Sequence, residues 1–314
     1  MKLAYFDCSS GISGDMTLGA LVDAGVPVER LQEAIDSLKL PACRLVAREV
    51  RKLGFRATQV TVEHPPEHVH RHLPQILGMI DASQLNERQK DIARRIFTRL
   101  GEAEAKVHGT SIEKIHFHEV GAVDSIADIV ATAVGWDLLG VDRMVASPVP
   151  TGSGRIKIVH GEFSVPAPAT AELLRGIPLA ESAVRAELTT PTGAAILAQL
   201  ADGFGPLPAM TIERIGCGAG YRDLDEQANI LRILIGEVEA ATNAQDCLSD
   251  QVWIVETNLD NLSGEVVGYC LSRIWEAGAL DAYTTPIQMK KNRPGTKVTA
   301  LCRVEDVAAV EAIL

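Results

Sequence analysis

The sequence has little aromatic content, 4% of its 314 residues, so aliphatic side chains must fill its core. Its six cysteines (Cys8, Cys43, Cys217, Cys247, Cys270 and Cys302) include no Cys-x-x-Cys pair, and their scatter indicates neither a zinc ribbon nor a disulfide framework. No run of about 18 consecutive apolar residues occurs, and residues 1–7 lack the apolar stretch and small-residue cleavage site of a secretion signal. A cytoplasmic protein without a membrane partner is therefore expected. Positive charge is also scarce: 30 Lys and Arg face 41 Asp and Glu, for a net charge of −11. That balance leaves too little basic surface to displace counterions from nucleic acid, which is not an expected partner. Neither G-x-x-x-x-G-K-[ST] nor G-x-G-x-x-G is present, which excludes two common Gly-rich nucleotide loops.

What the sequence does have is a hydrophobic fraction of 46%, enough for a sizeable core, over a length that suits more than one domain. Strand-like and helix-like periodicities alternate along it and predict a mixed α/β (α+β) class. An N-terminal α/β domain is expected over 1–238, a polar Ala/Thr/Asn/Gln linker over 239–250 and a C-terminal domain over 251–314. In the last of these, the order strand, helix, strand, strand, helix covers most of a ferredoxin-like β-α-β-β-α-β unit and stops before its final strand. An open sheet edge expected at 297–303 favours pairing between copies, and hence a homo-oligomer.

The densest chemistry lies at His116-Phe117-His118-Glu119, followed by Asp124 and Asp128. If residues 114–118 end a strand, both imidazoles share a face, and a helix from 125 onward puts Asp124 and Asp128 on one face. Imidazole mixed with carboxylate suits a borderline divalent metal with open coordination positions. The plainer alternative is that Asp124 caps a helix and the histidines bond to backbone. A second concentration, residues 63–72, holds His64, His68, His70 and His72 around two prolines; it reads as an exposed metal-collecting loop or anion-contacting lid, or as a solvated helix start at Leu73.

Residues 8–15, between a strand at 3–7 and a helix from Met16, form a Gly/Ser turn. Ser10, Gly11, Ser13, Gly14 and Asp15 could there cradle a phosphate or carboxylate at a helix N-terminus, unless the small residues serve only tight packing. Residues 216–220 are expected to be a flexible loop of close approach leading to Tyr221, Arg222 and Asp223. Cys8 and Cys217, in Gly-rich surroundings, could offer a thiolate to a soft ion. Pro/Thr stretches at 165–170 and 187–193 are helix caps or two walls of one pocket. The basic turn Lys290-Lys291-Asn292-Arg293 suits a small anionic ligand. On residue chemistry alone, Asp7, His116, His118 and Asp124 also fit a divalent-metal hydrolase.

Five stretches are specific enough to suggest a family: residues 5–8 with 10–16, 116–128, 166–170, 190–194 and 286–295 (Pro-Ile-Gln-Met-Lys-Lys-Asn-Arg-Pro-Gly). They resemble those of LarC, the nickel-insertion protein for the lactate racemase cofactor, in family order over essentially the whole chain. The resemblance implies a nickel chelatase that converts pyridinium-3,5-bisthiocarboxylic acid mononucleotide to the nickel-pincer nucleotide, consuming CTP with help from Mg or Mn, with lactate racemase as a further partner. Under it, His68, His70, His72, His116 and His118, with Asp124 and Asp128, are nickel donors. A base such as Glu119 or His160, with Asp7 as a third catalytic candidate, would remove the pyridinium C4 proton. The 9–14 loop with Asp15, and Lys290, Lys291 and Arg293, would meet phosphates. Asp260 and Glu265 would hold the divalent ion on CTP, although the family's Asn-Leu-Asp-Asp ends here in Asn261. A non-catalytic nickel metallochaperone is the alternative within the same resemblance.

Overall fold

The computed structural model describes residues 1–66, 71–115, 117, 121–158, 161–238 and 252–314. The chain divides into two compact units, Met1–Thr242 and Asn243–Leu314. The linker expected at 239–250 lies outside the described residues.

In the first unit β1 (Lys2–Asp7) leads to α1 (Gly14–Asp23) and α2 (Val28–Ser37), a hairpin of β2 (Arg44–Lys52) and β3 (Phe55–Glu63), and three helices, α3 (Leu73–Ala82), α4 (Glu87–His108) and α5 (Val123–Leu139). Shorter pieces follow: β4 (Arg143–Ala146), β5 (Val149–Pro150), β6 (Arg155–Ile158), β7 (Gly161–Ser164), α6 (Pro168–Leu173), β8 (Leu179–Ala180), α7 (Pro191–Leu200) and β9 (Gly203–Phe204). The long strands β10 (Thr211–Ala219) and β11 (Ile230–Glu237) close the unit. Seven strands make one sheet in the order β2-β3-β10-β11-β1-β4-β9. It is mixed: β1 runs parallel to β4 and antiparallel to β11, and β3 runs parallel to β10. The α/β class is as expected.

Helix α4 illustrates how sequence dictates an element. Ile92, Ile96, Phe97 and Leu100 recur on one face and are buried, the Asn86 side chain accepts the Gln89 N–H, and Gly109 ends the helix in the left-handed region. Helix α5 is buried almost all round and packs against α1, α2 and α4, so the centre of the core lies on it. The Thr190 hydroxyl accepts the Gly193 N–H, with Pro191 in the first turn, so the 187–193 stretch does cap α7.

Two expectations for this unit are corrected. Residues 216–219 are not loop but the end of β10, and their glycines admit a helix. A Cβ on Gly218 would overlap the Met16 carbonyl oxygen, one on Gly216 that of Ala20, and one on Gly19 that of Thr58. Helix α1 therefore lies in backbone contact with β3 and β10. At its far end Asp23, 5% exposed, accepts the Cys217 N–H (2.9 Å) and the Thr58 hydroxyl (2.9 Å) and pairs with Arg56 (2.8 Å). That carboxylate supplements a β3–β10 ladder whose register has the single pair Gly218–Thr58. The second correction concerns 114–118, where Lys114 lies in a turn and Ile115 and Phe117 are irregular. Their apolar side chains are buried because the segment packs onto the core, not because it joins a sheet.

The second unit comprises β12 (Trp253–Leu259), α8 (Gly264–Glu276), β13 (Asp281–Met289), a 3-10 turn at Lys290–Asn292, β14 (Arg293–Cys302) and α9 (Val307–Glu311). Its sheet order is β12-β14-β13, over a core of Val267, Ile274, Val298, Ala300 and Cys302. The open edge expected at 297–303 is thereby overturned: β14 is the central strand, with Ala300 opposite both Val255 and Ala282. The β-α-β crossover inserts the third strand between the first two, an order that linear position does not reveal. Among the described residues, no helix is long and apolar enough to cross a membrane.

Gly218→Ala should lower the melting temperature by several degrees, because the methyl has no room and overpacking costs about 1–3 kcal/mol. Gly78→Ala in α3, where a Cβ meets nothing within 4 Å, should leave it unchanged or raise it slightly. Thermal denaturation followed by circular dichroism compares the two.

Candidate active site

At the end of β1 the Asp7 carboxylate accepts hydrogen bonds from Arg232, opposite it on β11, at 2.6 and 3.1 Å, and from the Ser9 hydroxyl. Burial alone would raise its pKa, but the Ser9 and Arg232 hydrogen bonds outweigh that and hold it below the usual range. The candidate catalytic carboxylate is thus an ionised group committed to a guanidinium and ill suited to take a proton.

The turn after β1 is clamped on several sides. The Gly11 N–H bonds to Cys8 O (2.7 Å), the Ile12 N–H to Leu188 O (3.0 Å), and the Thr190 N–H to Ile12 O (3.0 Å). Gly11 sits at φ +80°, where a Cβ would overlap Leu188. The Cys8 and Ser9 amides bond to the side chains of Ser147 and Asp7, and the Ser10 hydroxyl bonds to Ala228 O (2.7 Å). Of the expected anion cradle the Gly11 amide is already spent, as are those of Cys8, Ser9 and Ile12 around it. The helix N-terminus beyond them faces carboxylates of its own. Cys8 is fully buried, and burial and the Asp7 charge keep its thiol protonated, against the expected soft-ion role.

Those carboxylates are Asp15, in the first turn of α1, and Asp124 and Asp128, one turn apart on α5. Asp128 packs over Gly14 so closely that a Cβ there would overlap its Oδ2, and its Oδ1 is buried without a hydrogen-bond partner. Burial first, then the charges of Asp15 and Asp124, push the Asp128 pKa well above the carboxylate range. Burial also raises Asp15, despite hydrogen bonds from the Ser13 hydroxyl and the backbone of Met16 and Tyr221. Asp124 is exposed and accepts the Ser125 N–H (2.7 Å). Three like charges held together favour any cation that can offset them, a proton or a metal. Among the described residues, no three His, Cys, Asp or Glu side chains are grouped so as to hold a metal ion.

The two histidine-bearing stretches are stitched to each other. Arg71 O accepts the Phe117 N–H (3.4 Å), Arg71 Nη1 donates to Gly121 O (3.2 Å), and His72 Nδ1 bonds to Ile115 O (3.1 Å). A backbone bond on one ring nitrogen is what orients a metal-binding imidazole. His68, His70, His116, His118, Glu119 and His160 lie outside the described residues. Sequence reasoning missed Cys43: burial, and then Asp36, Asp128 and Asp124, push its thiol up to about 11. It lines an open groove of ≈ 540 Å³ with Asp36, Arg44, Glu63 and His64. Arg232, also missed, was findable only once its register opposite Asp7 was known.

In the second unit Arg293 lies 3.8 Å from Asp260, beside the turn where Lys291 and Asn292 adopt φ of +62° and +55°. Glu265 stands in the first turn of α8, after the Ser263 cap. The basic turn and Asp260 are thus brought together; Glu265 is exposed on the adjoining helix.

Comparison with known proteins identifies the chain's lineage. The description of the nickel insertion protein family matches residues 4–314. The chain belongs to that family. It is 51% identical over 315 residues to a Rhodopirellula baltica protein named as an inferred nickel insertion protein, covering 100% of this chain and 80% of that one. It is 45% identical over 328 residues to the pyridinium-3,5-bisthiocarboxylic acid mononucleotide nickel insertion protein of Geobacillus kaustophilus, again with 100% and 80% coverage. A solved structure, LarC2, the C-terminal domain of a cyclometallase involved in synthesis of the NPN cofactor of lactate racemase, in apo form, shares 45% identity over 20% of this chain and 43% of its own, with a TM-score of 0.19.

The aspartate cluster of this nickel insertion protein makes a signed prediction. A carboxyl whose folded pKa is raised binds its proton more tightly folded than unfolded, so stability falls as pH climbs from the unfolded value, about 3.9, through the folded one. In chelator-treated protein, Asp128→Asn should therefore melt a few degrees above wild type at pH 7, and the gain should vanish as pH falls towards about 4. Melting curves across that range check it.

Proposed function

We propose that this chain inserts nickel into pyridinium-3,5-bisthiocarboxylic acid mononucleotide, and that the metal passes beside Asp124 and Asp128. The observation that carries the reading is the stitching of Arg71 and His72 to Ile115, Phe117 and Gly121, just before helix α5, which carries Asp124 and a buried Asp128 oxygen without a partner. Arg71, which adjoins His70, is thereby a neighbour of Phe117, which adjoins His116 and His118. Donors from both segments, with Asp124 and Asp128, then serve one borderline ion.

Nickel is cargo in this scheme. His68, His70 and His72 receive it, and His116 and His118 hold it with the aspartates until the substrate's sulfurs take it. Bonding nickel to the pyridinium C4 displaces that carbon's proton, which Glu119 or His160 accepts. Asp7, already ionised and paired, fixes Arg232 instead of moving a proton. The second unit takes CTP on Lys290, Lys291 and Arg293, with Mg or Mn held by Asp260 and Glu265. The product is the nickel-pincer nucleotide of lactate racemase.

Mass spectrometry of the mononucleotide after incubation with the chain, nickel, CTP and Mg tests this. Wild type should add one nickel, and the double variant His116→Ala/His118→Ala should slow the reaction by about 100-fold or more. Arg293→Ala should weaken CTP binding about tenfold. Nickel binding without product would replace the enzyme by a non-catalytic carrier.

A further inference from the structure

The loop between β10 and β11, residues 220–229, flanks the turn after β1 at both of its ends. At one end Ala228 O accepts the Ser10 hydroxyl; at the other, Gly218 lies against the Met16 carbonyl in the first turn of α1, and the Tyr221 backbone amide faces Asp15. The start of the loop is held rigidly. Lys52, whose side chain is 8% exposed, reaches Asp223 Oδ1 (2.6 Å), Arg222 O (3.3 Å) and Tyr221 O (3.5 Å). Asn229 Nδ2 donates to Arg222 O (2.9 Å), and the Gly220 N–H bonds to Asn229 O (3.0 Å). Burying a lysine to secure three consecutive residues is a costly way to fix a surface loop. What the fixation presents is the Tyr221 ring, 85% exposed, the most exposed large apolar side chain among the described residues.

An aromatic ring whose backbone is held in place beside the Asp15 carboxylate is suited to a flat cation. The ring face attracts positive charge, the carboxylate adds a favourable field, and little entropy is lost because the loop is already ordered. We infer that Tyr221 is a stacking platform for the cationic pyridinium ring of a mononucleotide, placing that ring beside the start of α1. The inference rests on the proposed substrate class and adds the residue that recognises the ring. Arg222, exposed and without an ion pair among the described residues, stands next to it for the phosphate.

Nicotinamide mononucleotide and its dihydro form share ribose and phosphate but differ in ring charge and aromaticity, and they make a direct probe. Titration calorimetry on the full chain should give similar affinities for the oxidised compound in wild type and Tyr221→Phe, and about tenfold or weaker binding in Tyr221→Leu. The dihydro compound should bind all three alike, and more weakly than the oxidised one binds wild type. Unchanged binding in Tyr221→Leu, equal losses for both compounds, or no preference of wild type for the oxidised ring overturns the platform. The nickel-insertion reading is judged separately by wild-type turnover with the bisthiocarboxylate substrate, so either can fail alone. Residue 221 is solvent-exposed, and coincident melting curves confirm that the variants fold.

Discussion

Helix α1 can reach its place only because three glycines, Gly19, Gly216 and Gly218, let two backbones touch. That contact sets where the helix begins, and the site depends on where it begins. With α1 pressed on β3 and β10, Asp15 comes within the field of Asp128, Gly14 leaves space for the Asp128 carboxylate, and the β10–β11 loop lies alongside. A larger residue at any of these glycines would move α1, and Asp15 with it, relative to β3 and β10. Tight packing and chemical placement are here one constraint, since interiors transmit small displacements instead of absorbing them.

The electrostatic character of the start of α1 follows from the same geometry. The sequence offers a Gly/Ser turn before a helix, which by itself suggests an anion, yet in the folded turn the amides of Cys8, Ser9, Gly11 and Ile12 are bonded internally, and Asp15, Asp124 and Asp128 act on one another at the helix start. The positive end of the helix dipole would suit an anion, but the acidic side chains crowded there make a cation, a proton included, the better guest, as the raised pKa values of Asp15 and Asp128 show. A family that handles a divalent ion has use for such a place.

Much of the fold could be read in advance. The 3.6-residue periodicity of α4, the alternation in β2 and β3, and the apolar run of α5 mark their own elements, because each buries a face that its period defines. The order of strands could not be read so. Central β14 was taken for an edge, since pairing partners are chosen in three dimensions. Gly216 to Gly220 suggested a loop because a glycine that permits a turn and one that permits an approaching helix are the same letter. At the site, Asp124 and Asp128 were legible from their spacing, whereas Asp15 facing Asp128, Arg232 facing Asp7 and Lys52 holding 221–223 join residues more than a hundred positions apart and carry no local signal.

The join between β3 and β10 has a mechanical corollary. A register with one ladder pair and a carboxylate makes the β2–β3 hairpin the most weakly sewn seam of the sheet, whereas β1, β11 and β10 are laced along their full lengths. Local opening follows the fewest hydrogen bonds, so breathing of this unit should begin there. The groove beside Cys43 has Glu63 of that hairpin and the adjoining His64 on one bank and Asp36 of α2 on the other, so its aperture should follow the breathing of that seam.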